Sequence, residues 1–325
     1  MPLVQVVNLE QRFIVNTGLV SHRMVYAVDG VSFAIKRGTV FGLVGETGCG
    51  KTTLGRTLLR LYEPSAGEVY FDGELITSKN IKAYRRKMQI IFQDPNSSLN
   101  PRMRVSDIIA EPMIYHKLTA SAQESRSKTI ELMEMVGLSE GQARRFPREL
   151  SEGQRQRVGI ARALAVRPEF LICDEPVSSL DVSVQARIIN LLQDIRREMN
   201  ITYMYISHDL LTVQYMSDHL AVMYRGKIVE EGRSDELNAN PIHPYTMALF
   251  SSLPIPDPQI EKNRQRIAVP AAAETAGAAA AKAGSGRPKG CPFASRCKKC
   301  TDQCLIICPP LSALNDRHKV ACWEA

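Results

Sequence analysis

The chain has 325 residues, a length that suits one large α/β core with an appendage. Hydrophobic residues make up 44% of it and charged residues 23%, proportions that argue against a largely disordered protein. The formal charge of +7 does not by itself indicate a nucleic acid or an anionic membrane as partner, because Lys and Arg alternate with Asp and Glu. No apolar run approaches the roughly 18 residues of a spanning helix, and the N-terminal sequence lacks a signal-peptide pattern, so we expect a cytosolic protein.

Several short apolar segments indicate buried parallel strands. Each is rich in β-forming residues and ends in polar residues or glycine, and they lie at 39–44, 88–92, 170–173 and 201–206. Between them, apolar residues recur at three- and four-residue steps at 126–136 and 182–199, which predicts helices. This alternation predicts an α/β core.

Two dipeptides interrupt further β-rich stretches. They are Asp72-Gly73 and Arg225-Gly226, and sequences of this kind are typical of hairpin turns. Some antiparallel sheet is therefore expected beside the parallel strands.

The composition changes in the last quarter of the chain. Residues 254–289 are rich in Ala, Pro and Gly and have no apolar periodicity, which predicts a linker. We therefore expect a domain at 1–253 and a small cysteine-rich module at 290–325.

A glycine-rich sequence follows the first predicted strand. The residues GETGCGKTT match the pattern G-x-x-x-x-G-K-[ST] and lead into a helix-like segment, a context that an incidental glycine-rich turn would not need. The glycines let backbone N–H groups face an anion, and the lysine neutralises the outer phosphates. The pattern predicts an ATP site at Gly45, Glu46, Thr47, Gly48, Cys49, Gly50, Lys51, Thr52 and Thr53, with the Thr52 hydroxyl as a ligand of Mg²⁺ and Cys49 as a small loop residue.

An acidic pair follows the third predicted strand. In FLICDEP, the apolar residues run into Asp174 and Glu175 at the carboxyl end of the strand, where open α/β sheets place their sites. Asp174 is predicted to hold Mg²⁺ and Glu175 to act as the general base that polarises the attacking water. Two adjacent acids could instead begin a helix, but the phosphate-binding pattern upstream favours the catalytic interpretation.

The sequence LSEGQRQRVGIARAL, which starts at Leu150, resembles the signature of ATP-binding cassette (ABC) proteins. Further motifs occur in the order found in that family: Gln93 in IIFQDP, the acidic pair, SSLD ending at Asp181, and His208 in ISHD. The resemblance implies an ATPase with the P-loop cassette fold. Its expected parts are a mixed RecA-like sheet core, an antiparallel β subdomain and a helical signature subdomain.

The resemblance also implies roles for the motif residues. His208 would orient the γ-phosphate and the attacking water, and Asp181 would communicate between two cassettes in a dimer. Gln93 would bind Mg²⁺ and link it to the surface that faces a membrane subunit. With Glu175, these residues form the implied catalytic set.

The start of the signature resembles a capping box, in which Ser151 and Gln154 bond reciprocally at a helix start. The resemblance implies that Ser151, Gly153 and Gln154 contact the γ-phosphate of ATP held by the loop of the partner cassette. Glu152 stands where the family usually has glycine. Its carboxylate either weakens the partner's ATP site by repulsion or points to solvent.

The adenine base is expected to stack on an aromatic ring upstream of the phosphate-binding loop. Tyr26 is the predicted residue. Phe13 and His22 are alternatives, because an insertion at 16–23 blurs the spacing.

Three further segments, AVDGVSF, FQDPNSSLNPRM and NPIHPYTMALF, resemble the ATPases of dipeptide and oligopeptide importers, and the resemblance covers nearly the whole chain. The SSLNPRM form resembles the second of their two paired ATPases. The resemblance implies a heterodimer with a related ATPase, two membrane permeases and an extracytoplasmic solute-binding protein, with this chain peripheral on the cytoplasmic face of the membrane.

Other functions remain open at this point. Nickel, glutathione and some oligosaccharide importers share this subfamily, and the solute-binding residues are expected on other chains. A cassette protein of DNA repair or translation would share the ATP chemistry, but the tandem cassette or long coiled coil usual in such proteins is not seen in the sequence.

Six cysteines lie between Cys291 and Cys322, and cytosolic chains rarely form structural disulfides. The segment resembles the C-terminal module of the same importers, whose cysteine positions are matched by Cys291, Cys297, Cys304 and Cys322. Four thiolates suit a [4Fe-4S] cluster or, alternatively, Zn²⁺. Cys300 and Cys308 are additional, Cys297-x-x-Cys300 could itself bind Zn²⁺, and an iron–sulfur redox sensor that regulates an ATPase is a third class of function.

Overall fold

The computed structural model describes residues 1–16, 22–253, 267 and 289–325. The chain divides into two compact units. The first comprises residues 1–4, 35–40 and 70–207, and the second comprises residues 5–34, 41–69 and 208–325. Each unit therefore combines segments that are far apart in the sequence.

The described residues form twelve β-strands. They are β1 (Pro2–Asn16), β2 (His22–Lys36), β3 (Val40–Val44), β4 (Ala66–Phe71), β5 (Glu74–Leu75), β6 (Met88–Ile91), β7 (Phe170–Asp174), β8 (Thr202–Ser207), β9 (His219–Tyr224), β10 (Lys227–Arg233), β11 (Ser312–Asn315) and β12 (His318–Val320).

The α-helices of the described part of the chain are α1 (Lys51–Leu58), α2 (Ile81–Tyr84), α3 (Pro95–Ser98), α4 (Val105–Tyr115), α5 (Ala122–Met135), α6 (Glu152–Leu164), α7 (Val182–Met199), α8 (Leu210–Met216), α9 (Ser234–Ala239), α10 (Pro244–Ser251) and α11 (Asp302–Ile306). Short 3₁₀ turns lie at Glu140–Gln142, Pro147–Glu149 and Ala294–Arg296.

In the first unit, strands β8, β7 and β6 lie side by side in that order and run parallel. Phe170 pairs with Met88 on one side and with Thr202 on the other. Every residue of β7 and β8 is buried, which explains why their sequences are continuous apolar runs. The predicted parallel strands are confirmed here, each to within one residue at its ends.

Helices α4, α5 and α6 of the first unit pack against one another, and α6 also packs against β6 and α7. In α7, Ile188, Leu192 and Ile195 are buried at four- and three-residue steps, as the periodicity predicts. The other predicted helix is α5, which begins before the predicted residue 126. It starts at Ala122 because the Ser121 hydroxyl accepts a hydrogen bond from the Glu124 N–H and caps the helix.

In the second unit, strands β11, β12, β10, β9 and β3 form a sheet in that order. Strands β3 and β9 run parallel, whereas β9 with β10, β10 with β12 and β11 with β12 are antiparallel. Strand β12, near the C-terminus, pairs with β10 through Val320 opposite Glu230. Strands β2, β1 and β4 lie side by side in a separate sheet.

Both predicted hairpins are confirmed. Asp72 and Gly73 have φ angles of +52° and +83° and connect β4 to the antiparallel β5. Arg225 and Gly226 have φ angles of +43° and +83° and connect β9 to the antiparallel β10. Positive φ at both central residues is the geometry of the hairpin turns that match strand twist.

The sequence patterns did not predict the two long strands β1 and β2. The predicted linker at 254–289 lies outside the described residues except for residues 267 and 289. The boundaries at 1–253, 254–289 and 290–325 therefore stay predictions.

Candidate functional site

The glycine-rich loop, residues 45–50, lies between buried strand β3 and helix α1, where the motif places it. The buried Lys51 ammonium donates hydrogen bonds to the carbonyl oxygens of Gly45 and Glu46, at 2.7 and 3.1 Å. These bonds hold the loop in a closed curve around a positive charge. Such a curve favours a polyanionic ligand such as a nucleotide polyphosphate.

The glycines of the loop lie against backbone atoms. A Cβ at Gly45 would lie 2.1 Å from the Met223 carbonyl oxygen, and one at Gly50 would lie 2.0 Å from the Ala27 carbonyl oxygen. Gly50 also has φ of +111°. No residue with a side chain fits either position, so these two packing contacts explain why the loop needs glycine there.

The remaining loop residues are held by local contacts. Cys49 is buried, its N–H donates to the Glu46 carbonyl and its own carbonyl accepts from Gly226. Burial raises the pKa of the Cys49 thiol, which keeps it neutral. Thr52 and Thr53 are half-buried in the first turn of α1.

The HPYT sequence contacts this loop, a role that sequence reasoning missed. The Glu46 N–H donates a hydrogen bond of 2.9 Å to the Tyr245 hydroxyl. Tyr245 lies at the start of α10, where Pro244 occupies the first helical position and the His243 Nδ1 accepts the Tyr245 N–H. The family resemblance of HPYT was the available signal, but it carried no structural role.

Tyr26 lies on β2, next to the residue whose carbonyl packs against Gly50. Its half-buried ring has the Arg12 guanidinium 5.7 Å from its centroid. The alternatives have other contacts: Phe13 packs edge-on against Tyr62, and the His22 Nδ1 lies 2.7 Å from the Asn16 side-chain oxygen.

The acidic pair ends strand β7 in the first unit. Asp174 is fully buried, and Glu175 is 8% exposed with φ of +47°. The Glu175 N–H donates to the Ile206 carbonyl oxygen at 2.9 Å, which anchors this left-handed residue to β8. The Gln93 amide donates to the Glu175 carboxylate at 3.2 Å, so two predicted site residues from separate motifs meet.

The signature sequence forms the start of α6. The predicted capping box is confirmed, because Ser151 accepts from the Gln154 N–H and the Gln154 side chain accepts from the Ser151 N–H. Glu152 is half-buried in the first turn. A Cβ on Gly153 would lie 2.6 Å from Val184 of α7, so the two helix starts lie close together.

Asp181 lies at the N-terminus of helix α7, and His208 follows strand β8, the next element along the chain. Asp181 caps α7 by accepting hydrogen bonds from the Val184 N–H and the Ser183 hydroxyl. These two bonds, the Ser183 bond being the larger cause, lower the pKa of Asp181. His208 is exposed and directly follows β8.

The C-terminal cysteines lie in the second unit, and none of them forms a disulfide bond. Among the residues that the structure describes, no group of three or more His, Cys, Asp or Glu residues is arranged to hold a metal ion. Burial, with smaller contributions from neighbouring thiols, raises the pKa of Cys291 to about 11. Burial likewise raises the pKa of Cys297 and Cys322.

The hydrogen bonds of five of these sulfur atoms fall into two kinds, whereas the sixth, Cys304 Sγ, lies 3.3 Å from the Thr301 hydroxyl oxygen. Cys291, Cys297 and Cys322 accept backbone N–H groups from the residue two positions ahead in the chain. By contrast, Cys300 and Cys308 donate their S–H groups to the carbonyl oxygens of Thr301 and Pro309. An N–H group bonded to sulfur favours the thiolate, whereas donation to a carbonyl requires the thiol.

Within the described ranges, no helix is long and apolar enough to cross a membrane.

The loop around Lys51 and the capped signature helix define an ATP-binding cassette ATPase. The ABC transporter family matches residues 28–178. The solved structure of cbiO1 from Clostridium perfringens, part of the ABC transporter complex cbiONQ, superposes with a TM-score of 0.63 at 29% identity, covering 74% of this chain and 91% of that one. The ABC cassette MJ0796 bound to ADP and Pi gives a TM-score of 0.64 at 28% identity, covering 71% and 98%.

Relatives narrow this class. The C-terminal region of the oligopeptide/dipeptide transporter family matches residues 229–304. The oligopeptide transport ATP-binding protein OppF of Bacillus subtilis is 52% identical over 81% of this chain and 86% of its own length. The dipeptide transport ATP-binding protein DppF of Lactococcus lactis is 48% identical over 77% and 82%. The chain belongs to the family of ATP-binding subunits of oligopeptide and dipeptide ABC transporters.

Proposed function

We propose that this chain hydrolyses ATP to power the import of dipeptides or oligopeptides, working as a peripheral subunit on the cytoplasmic face of two membrane permeases. The observation that carries the proposal is the phosphate-binding loop, closed around Lys51 and bonded to Tyr245. Tyr245 lies in the segment that matches the peptide-transporter family, so that segment is built onto the nucleotide loop.

Each motif residue has a proposed task in this reaction. Glu175 takes the proton of the attacking water, and the Gln93 bond positions its carboxylate. Thr52, Gln93 and Asp174 supply the oxygen donors that Mg²⁺ prefers, and the ion neutralises phosphate charge when bound. His208 orients the γ-phosphate, and Tyr26 stacks on adenine.

The signature helix is proposed to act on a second ATPase. Its capped N-terminus, with Ser151, Gly153 and Gln154, presents backbone N–H groups that suit the γ-phosphate of ATP on the partner's loop. Asp181 communicates between the two cassettes. We propose that the partner is a related but different ATPase and that an extracytoplasmic binding protein delivers the solute.

The test is ATP turnover and solute uptake by the complete complex in liposomes, comparing peptides, glutathione and nickel. Glu175→Gln removes the proposed general base, so turnover and peptide uptake should fall by about 100-fold or more while ATP still binds. Glu198→Gln, a matched change at an exposed residue of α7, should leave both unchanged.

Peptide-stimulated turnover that Glu175→Gln abolishes supports the proposal. Turnover that persists unchanged in this variant would show that Glu175 is not the working base. If only glutathione or nickel stimulates ATP turnover, the chain is instead the ATPase of a glutathione or nickel importer of the subfamily.

The cysteine-rich segment is proposed to bind a [4Fe-4S] cluster, with Zn²⁺ as the alternative. The N–H bonds to Cys291, Cys297 and Cys322 support their role as thiolate ligands, and Cys304 is the proposed fourth. Cys300 and Cys308 donate their S–H groups to the carbonyl oxygens of Thr301 and Pro309 and are proposed to stay thiols. The bound cluster or zinc ion would stabilise the fold of the segment, because ATP hydrolysis involves no electron transfer and needs no redox centre.

Metal analysis of the anaerobically purified chain tests this assignment. The native chain should contain about four iron atoms or, if zinc replaces the cluster, about one zinc atom. Serine substitution at each proposed ligand should remove the metal, whereas Cys300→Ser and Cys308→Ser should retain it. A native chain free of iron and zinc, or loss of metal only in the two control variants, would contradict the proposal.

A further inference from the structure

The cysteine-rich segment makes an ion pair with the phosphate-binding loop. The Arg296 Nη1 lies 3.0 Å from both carboxylate oxygens of Glu46 and 3.3 Å from the Tyr224 hydroxyl. The arginine side chain is only 11% exposed, whereas that of Glu46 is 44% exposed. The pair therefore joins a loop residue to a chain position 250 residues away.

Three aromatic side chains, here called the aromatic anchor, pack together next to Arg296. They are Tyr224, Tyr245 and Phe293. Phe293 is 1% exposed, and its ring centroid lies 5.3 Å from that of Tyr224 and 5.5 Å from that of Tyr245. The Arg296 guanidinium lies 5.8 Å from the Phe293 ring and 5.9 Å from the Tyr224 ring. Because Tyr245 also holds the Glu46 N–H, the anchor contacts both the backbone and, through Arg296, the side chain of one loop residue.

The charge of Arg296 bears on the ligand of this loop. Arginine stays protonated in proteins, so the Arg296 guanidinium pairs with the Glu46 carboxylate as a cation. Glu46 is an anion within a loop that binds a polyanion, and like charges repel. Because Arg296 neutralises the Glu46 carboxylate, the ion pair favours the binding of a nucleoside triphosphate by this loop.

We propose that Arg296 is a positioning residue for the phosphate-binding loop, through which the cysteine-rich segment sets the affinity of the loop for ATP. The inference rests on the proposed role of the loop in binding ATP. It gives the C-terminal region a task in nucleotide binding that is separate from any metal it holds.

Nucleotide kinetics of the complete complex, with equilibrium binding of a fluorescent ATP analogue by the full chain, test this role. Arg296→Ala should raise the KM for ATP about three- to ten-fold and leave kcat within about two-fold, because it changes the loop and not the general base. Arg296→Lys, which keeps the charge, should recover at least part of the affinity. Lys298→Ala removes an exposed positive charge from the same segment and should change neither constant.

A double-mutant cycle separates this role from general destabilisation. If the ion pair acts as proposed, Arg296→Ala in a Glu46→Gln background should change the KM by less than about two-fold. An unchanged KM in Arg296→Ala, an equal fall in kcat, or the same effect in both backgrounds would overturn the inference.

Lys51→Ala distinguishes failure of the inference from failure of the proposed function. Loss of analogue binding in Lys51→Ala together with native behaviour of Arg296→Ala would overturn the inference alone. Native binding by Lys51→Ala would overturn the role of the loop itself.

Discussion

Adjacent residues in this chain differ sharply in their surroundings. Asp174 is fully buried within its strand, whereas Glu175 lies just past the strand end in the left-handed region at φ +47°. A non-glycine residue held there costs about 1–3 kcal/mol, which the surrounding contacts must offset. The bonds to Ile206 and Gln93 fix both the backbone and the carboxylate of this residue. Strain of this kind is common where a carboxylate must be aimed.

His243 supplies a pH dependence at the residue scale. Burial lowers its pKa from 6.5 to about 4, and its Nδ1 must stay unprotonated to accept the Tyr245 N–H. Between these two pH values the unfolded chain binds the extra proton and the folded protein does not. The free energy of unfolding should therefore fall by roughly 3 kcal/mol as the pH decreases from above 6.5 to about 4.

Urea unfolding of the full chain at several pH values checks this expectation. His243→Asn keeps a helix-capping oxygen but cannot titrate, so its stability should vary less with pH over that window. Equal pH dependence in both proteins would mean that other groups cause the acid sensitivity.

At the scale of elements, the phosphate-binding loop depends on close backbone approach as well as on positive φ. Gly48 and Gly50 both have positive φ, at +80° and +111°. Of these two glycines, only Gly50 faces a backbone oxygen, since a Cβ on Gly48 would meet no atom within 4 Å. Gly48 is therefore required for its positive φ alone, whereas Gly50 is required both for its positive φ and for close packing against a backbone oxygen.

Alanine substitution at each position should show how much the backbone conformation and the close packing each contribute to the free energy of unfolding. Gly48→Ala should lower the free energy of unfolding by about 1–2 kcal/mol, the cost of placing a side chain in left-handed backbone. Gly50→Ala should cost about 2 kcal/mol more, because the Ala27 carbonyl must also move. Denaturant titrations with matched m-values measure the difference, and equal losses would refute the packing argument.

The elements differ in how well the sequence predicted them. Strands β6, β7 and β8 were predicted closely because short apolar runs reflect buried parallel strands, and helix α7 because its three- and four-residue apolar steps reflect one buried face. Strand β1 gives no clear period because its buried residues do not alternate regularly: Leu3 and Val4, for example, are adjacent and both buried. Strand β2 was also missed, although Val31, Phe33 and Ile35 in its second half are buried at two-residue steps.

At the scale of the whole molecule, side chains far apart in sequence stabilise the C-terminal strands. The His318 Nε2 lies 2.8 Å from the Glu230 carboxylate, and both residues are almost fully buried. Glu230 also accepts the N–H groups of Ile242 and His243. One carboxylate thus joins β10, β12 and the residues before α10.

Removing this contact should weaken the fold. His318→Ala should lower the free energy of unfolding by about 2–3 kcal/mol, because it removes a buried hydrogen bond and leaves a gap. Lys319→Ala, at the neighbouring residue, removes only a 46% exposed partner of Glu231 and should cost less than about 0.5 kcal/mol. Comparable losses in the two variants would show that the buried pair does not hold β12.

The sequence by itself determined the ATP-binding cassette, because its motifs are local. A glycine loop after a strand, a capping box and a dipeptide hairpin each depend on residues within a few positions of one another. Local geometry follows from such patterns without knowledge of the rest of the fold.

Only the tertiary structure decided which distant residues support that loop. Tyr245 and Arg296 contact Glu46 across 199 and 250 positions of the chain, and His318 contacts Glu230 across 88. The N–H bonds that distinguish the C-terminal sulfur atoms likewise need the folded backbone. Contacts of this range leave no periodic trace in the sequence, because they depend on how the sheet and its loops bring separate segments together.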